Sequence, residues 1–160
     1  MLKFNELYKT YAPDVYRFAH WLSGSKFWAE DITSETFIRA WTHYHPIRTE
    51  TLKAYLFTIA RNYYLGQLRK EKRIADLSEE YPDPSPEPDQ KIEIRDEIDQ
   101  VQGFLQALSE IDRAAFILRV QHELPYAEIA RVLKLSVSSA KVKVHRVRKK
   151  LSLNRNQQEV

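Results

Sequence analysis

Lys141, Lys143, Arg146, Arg148, Lys149 and Lys150 fall within ten residues near the C-terminal end, with His145 among them. Six cations at that density attract a polyanion, and side chains of these types can also donate to the edges of bases. Through the same stretch Val137, Ala140, Val144, Val147 and Leu151 recur at three- and four-residue steps. That period is one narrow face of a helix, and it leaves Lys141, His145, Arg146 and Lys149 on the opposite face. Immediately upstream, Pro125 suits the first turn of a short helix over Ala127–Leu133, with Ile129, Ala130 and Leu133 inward. Lys134-Leu135-Ser136 is then a tight connector in which Ser136 can cap the basic helix. Short helix, tight turn and basic helix make a helix-turn-helix pattern. Ser138, Lys141, His145 and Arg146 sit where such a helix meets bases in a major groove. A solvated basic helix would share the seam and the charge, but not the helix and turn that precede it.

No other constellation offers chemistry. The chain has no cysteine, which excludes disulfides, thiol catalysis and cysteine-held metal, and its three glycines are too few for a phosphate-cradling loop. His43 and His45 form a pair without a clear third ligand, so neither a metal nor another cofactor is expected. His20, close to an apolar helix face, reads as structural. No catalytic residue is assigned.

The elements that position these residues are helical. Of 160 residues, 43% are hydrophobic and 29% charged, as in a soluble globular chain. No apolar run reaches the ~20 residues of a membrane span, and the first residues hold no secretory apolar core, so no membrane insertion is expected. Phe4, Leu7, Tyr8, Tyr11, Val15, Phe18, Ala19 and Leu22 mark a first helix, with Pro13 as a kink or a new first turn and Ser23-Gly24 as the stop. Ser25 can cap a second helix, which places Ala29, Ile32, Phe37, Ala40, Trp41 and Tyr44 on its apolar face and Asp31, Glu35 and Arg39 on the other. Leu52, Tyr55, Leu56, Ile59, Ala60, Tyr63 and Leu68 mark a third, running into Arg69–Arg73. Further on, Ile94, Ile98, Val101, Leu105 and Leu108 form a single seam. Ser109 can cap a following helix that holds Ala115, Ile117, Leu118 and Val120.

Charge divides the chain into blocks. Residues 1–75 hold 12 basic and 7 acidic residues, residues 76–112 hold 2 and 12, and residues 113–160 hold 11 and 3. Pro82, Pro84, Pro86 and Pro88 lie within the acidic block and exclude helix or central strand there. The reading is an all-α protein of two small helical domains, 1–75 and 94–160. An acidic, Pro-rich linker over 76–93 joins them, and the helix-turn-helix lies in the second.

Leu108-Ser-Glu-Ile-Asp-Arg113, Leu124-Pro-Tyr-Ala-Glu-Ile-Ala130 and Leu135-Ser-Val-Ser-Ser-Ala-Lys-Val-Lys-Val-His-Arg-Val-Arg-Lys-Lys-Leu151 resemble the −35-reading domain of bacterial extracytoplasmic-function sigma factors, of the sigma-70 family. Ala29-Glu-Asp-Ile-Thr-Ser-Glu-Thr-Phe-Ile-Arg-Ala-Trp41 and Tyr55-Leu-Phe-Thr-Ile-Ala-Arg-Asn62 resemble their polymerase- and −10-binding domain. Together these motifs cover most of the chain in the family's order.

The resemblance implies a non-enzymatic, cytoplasmic, bacterial initiation factor that brings core RNA polymerase to promoter DNA. Its implied partners are the β′ clamp coiled coil, the β flap and an anti-sigma factor. Asp31, Glu35 and Arg39 match the family's polymerase-binding surface, although spacing alone reads them as an ordinary polar face. Arg48, Tyr55, Arg61, Asn62 and Arg69 fall in the −10-binding segment, where Tyr63 and Tyr64 also offer ring faces, with core packing as their alternative. Ser138, Ser139, Lys141, Val142, His145, Arg146 and Lys149 match the −35-reading helix. The family's usual residues differ at Ser34 (Gln), Tyr55 (Trp) and Lys134 (Gly), and Val142 is apolar where a polar residue is common, which suits a thymine methyl. The rival reading is a stand-alone helix-turn-helix regulator, for which no dimer seam is evident.

The acidic segment has its own test. Replacing Asp76, Glu79, Glu80, Asp83, Glu87 and Asp89 by Asn or Gln is expected to raise nonspecific DNA affinity, mainly at low salt, if the segment mimics phosphate. Superimposable salt titrations of the two proteins would identify a solubilising linker instead.

Overall fold

The computed structural model describes residues 3–43, 49–77 and 97–158. Arg48, His45, Tyr44, Ile94 and linker residues 78–93 lie outside them, so the expectations placed there have no structural counterpart. The described residues form α-helices and no strand: α1 Phe4–Ser23, α2 Lys26–Thr42, α3 Thr49–Leu77, α4 Glu97–Ala107, α5 Glu110–Val120, α6 Tyr126–Leu133 and α7 Val137–Gln158.

Local chemistry accounts for the boundaries. The α1 helix ends at Gly24, whose φ of 73° lets its N–H return to the His20 carbonyl at 2.8 Å. Ser25 then caps α2 by accepting from the Trp28 N–H at 3.2 Å, and Ser109 caps α5 by accepting from the Asp112 N–H at 3.4 Å. Pro13 neither starts nor stops a helix. The α1 helix continues through it, because a proline here removes only the donor for the Lys9 carbonyl, on the exposed side of the helix. Thr33 and Thr36 are buried on α2 without loss, since their hydroxyls donate to the Ala29 and Ile32 carbonyls at 2.6 Å.

Helices α1, α2 and α3 pack on one another, as do α5, α6 and α7. The two groups are not separate. Helix α1 packs on α4 and α5, and α3 packs on α6, so one core runs through both. Phe18 and Phe57 are fully buried with ring centroids 4.8 Å apart, and truncating either to Ala removes about 3–5 kcal/mol. His122, from the turn after α5, places its ring 4.7 Å from that of Phe57 and 6.1 Å from that of Phe18.

Four apolar positions depart from the periodic pattern. Trp41 is exposed, with one edge contact to Phe4 at 4.6 Å, because the last turn of α2 overhangs the start of α1. Ile98 is exposed because, among the described residues, α4 packs on the core through Val101, Phe104 and Leu105, beyond its first turn. Val120 and Val137 sit at helix ends on the rim and are also exposed.

Burial, reinforced by Lys53, holds His122 down to a pKa of about 4; Asp14 opposes this and Arg17 adds to it. The undocked ring titrates near 6.5. The folded state therefore binds fewer protons between these values, and its stability falls as pH drops from about 6.5 toward 4. His122→Phe is expected to reduce the difference in melting temperature between pH 7 and pH 5, measured by circular dichroism.

Candidate nucleic-acid interface

Helix α7 divides its residues sharply. Ala140, Val144 and Val147 are fully buried against α5 and α6, while Ser138, Lys141, Val142, His145, Arg146 and Lys149 are exposed. Ser139 is half-buried at the start of the helix, where its N–H donates to the capping Ser136 hydroxyl at 3.1 Å. All seven residues expected on the −35-reading helix are thus on α7, six of them facing solvent. Lys143 points the other way, 3.7 Å from the Asp112 carboxylate of α5. Lys141 reaches over the Tyr126 ring of α6 at 5.8 Å, and Arg119 sits 4.4 Å from the same ring.

The turn between α6 and α7 depends on Lys134. Its φ of 57° and ψ of 47° are left-handed, and its N–H and that of Leu135 both return to the Ala130 carbonyl. A β-carbon disfavours this conformation, whereas glycine adopts it freely. Leu135 is half-buried and packs on the core, which holds the turn closed.

The first helical group presents two surfaces. On α2, Glu35 accepts from Arg39 at 3.2 Å, and the Arg39 guanidinium lies 5.0 Å from the centre of the Tyr63 ring of α3. Tyr63 donates its hydroxyl to Asp31 at 2.7 Å. Burial, followed by that bond to Asp31, raises the Tyr63 pKa to about 12, so the hydroxyl stays protonated and orients the carboxylate. Asp31, Glu35 and Arg39 therefore form one organised polar patch. Ser34 is exposed beside it.

On α3, Tyr55 is half-buried, and Asn62 and Arg69 are exposed. Tyr63 and Tyr64 are buried instead of offering free ring faces, and Tyr64 packs edge-on to Trp28 at 5.7 Å. Their alternative reading as core is the one the packing selects. Arg61 makes a two-pronged ion pair with Glu110 of α5 at 2.7 Å for both bonds. Sequence reading missed Glu110, Gln102, Gln106 and His122, because each acts on a residue tens of positions away. No group of three or more metal-ligating side chains exists among the described residues. No helix among them is long and apolar enough to cross a membrane.

Comparison with known proteins agrees with this arrangement. Residues 7–74 match the sigma-70 region 2 family and residues 98–151 match sigma-70 region 4. The chain belongs to the sigma-70 family, in its extracytoplasmic-function group, and is a non-enzymatic initiation factor that directs RNA polymerase to promoters. It is similar to the sigma factor SigM of Bacillus subtilis, with 30% identity over 92% of this chain and 91% of that one. It is 33% identical to SigE of Mycolicibacterium smegmatis over 94% of this chain and 61% of the relative. Among solved structures, the sigma factor RpoE of Bartonella quintana, in complex with the anti-sigma factor NepR, superposes with a TM-score of 0.77 at 28% identity. That match covers 92% of this chain and 93% of the other.

Lys134→Gly is expected to stabilise the protein by about 0.5–1 kcal/mol, as relief of the left-handed strain outweighs the added freedom of the unfolded chain. Thermal unfolding of the two proteins measures it.

Proposed function

We propose that the chain works as two domains, 1–75 and 94–160, joined by a linker over 76–93, that read two promoter elements for RNA polymerase. The exposed face of α7, with Lys141, Val142, His145, Arg146 and Lys149, reads the −35 duplex. Tyr55, Arg61, Asn62 and Arg69, together with Arg48, hold the −10 strand. Asp31, Glu35 and Arg39 meet the β′ coiled coil. An open groove between α4 and α7, with Val101, Phe104 and Leu151 on its floor and Glu97, Gln100 and Arg155 at its sides, supports a contact with the β flap. An anti-sigma factor controls the chain, as the likeness to NepR-bound RpoE suggests, and it acts in the bacterial cytoplasm. The observation that carries this reading is the clean split of α7 into a buried apolar seam and an exposed basic face.

Lys141→Ala and Arg146→Ala are each expected to weaken −35 recognition by about 1–3 kcal/mol while leaving polymerase binding in place. Run-off transcription from a −35-dependent promoter and a polymerase pull-down measure the two effects. Wild-type transcription by both variants would remove the −35 assignment. Tight, sequence-specific DNA binding by the free chain as a dimer would favour a stand-alone regulator instead.

A further inference from the structure

His122 belongs to the second helical group, but its ring contacts and the charges around it belong to the first. The turn that carries it follows α5 and is closed by backbone bonds. The Gln121 N–H donates to the Ile117 carbonyl at 3.0 Å and the Leu124 N–H to the Leu118 carbonyl at 3.1 Å, with Glu123 left-handed between them at a φ of 54°. The ring that this turn projects is 6% exposed and meets Phe18 of α1 and Phe57 of α3. The charged groups that act on it, Lys53, Asp14 and Arg17, are also on α1 and α3. Moving the first group away therefore returns the imidazole to water without melting a helix of the second.

The docked site does not accept a charged ring. Protonation makes both ring nitrogens donors, and the buried Nε2 has no hydrogen-bond partner among the described residues. The carboxylate that acts on the ring is already shared, since Asp14 pairs with Lys53 at 3.8 Å and with Arg17 at 3.6 Å. An imidazolium would face two positive charges against one negative, in a site where its lost hydration is not replaced. Burial first, and Lys53 next, hold the docked ring at about 4, against about 6.5 for the same ring in water. The polar contacts across the same joint contain no imidazole: Arg61 pairs with Glu110, and Gln102 and Gln106 donate to the His20 and Trp21 carbonyls.

We infer that His122 makes the joint between the two helical groups proton-sensitive, so that acid parts the groups while each keeps its own helices. The signal is the proton itself and needs no partner protein. The docked form keeps the ring neutral and the parted form lets it charge, so a falling pH draws the equilibrium toward the parted form. With the two values above, the ratio of docked to parted chains falls about tenfold between pH 7.5 and pH 5.5. No promoter contact enters this inference, so its failure and that of the promoter reading are separate results.

The chain has no cysteine, so Lys9→Cys on α1 and Ser152→Cys on α7 accept a dye pair that reports the joint by energy transfer. Urea titrations of the full chain at pH 7.5 and pH 5.5, followed by transfer and by circular dichroism, give the docked-to-parted ratio and the helix content under the same conditions. In the wild type the ratio is expected to fall about tenfold at the lower pH, with transfer lost at lower urea than the helix signal. His122→Gln and His122→Phe each replace the imidazole by a neutral side chain, one polar and one aromatic, so the comparison survives if one of them packs badly. Each folded variant is expected to hold the ratio within about twofold between the two pH values. The inference is overturned if the wild-type transfer curves superimpose at the two pH values, if transfer and helix signal are lost together at pH 5.5, or if a folded variant keeps the wild-type fall.

Discussion

The rings of Phe18 and Phe57 from one helical group and of His122 from the other meet in a triangle of mutual contacts, and the joining of the two groups depends on that cluster. Neither group is large, and small helical units bury a low fraction of their surface when alone. By meeting at three ring systems they share one core. The constraint is that His122 be uncharged, because a buried imidazolium would lose its hydration, and its buried Nε2 has no hydrogen-bond partner among the described residues. Lys53 and Arg17 nearby act in the same direction, which is why the ring is held neutral well below the ordinary histidine range.

The charge blocks acquire a structural meaning through this packing. The acidic middle ends with Glu110 and Asp112, on the first turn of α5. Glu110 engages Arg61 of the first basic block, and Asp112 engages Lys143 of the second. One turn of helix therefore ties both basic regions to the acidic one. The first pair lies across the contact between the two groups, while the second, a looser approach of 3.7 Å, lies between α5 and α7 beside the apolar seam that holds them together. Acidic residues in the first turn also suit the helix dipole, so the same side chains stabilise α5 locally.

Surface and core are separated by small devices. On α7, three residues of low bulk, Ala140, Val144 and Val147, fill the seam, so the helix sits close to its neighbours and presents its long cations outward. On α2, the Tyr63 hydroxyl holds Asp31 from below, and the Tyr63 ring supports Arg39, so a polar patch is ordered by a buried aromatic. Lys134 accepts a strained backbone because Leu135 is anchored in the core beside it.

Helix identity, capping by Ser25, Ser109 and Ser136, the basic face of α7 and the turn at Lys134 were legible in the sequence, because each depends on residues within about four positions of one another. The burial of Tyr63 and Tyr64 was open between core and ligand face, since helical period places a ring on a side without saying what covers that side. Ile98 and Trp41 fit their helix patterns yet remain exposed, because among the described residues neither is covered by the core at its end of the helix, Trp41 meeting the Phe4 ring by an edge. By itself, the sequence determined an all-α chain with a helix-turn-helix and a polar patch, as local spacing is enough to specify each. Only the tertiary structure decided that Arg61 meets Glu110 and that His122 sits against Phe57, because such partners are matched by the packing of distant helices and leave no periodic trace along the chain.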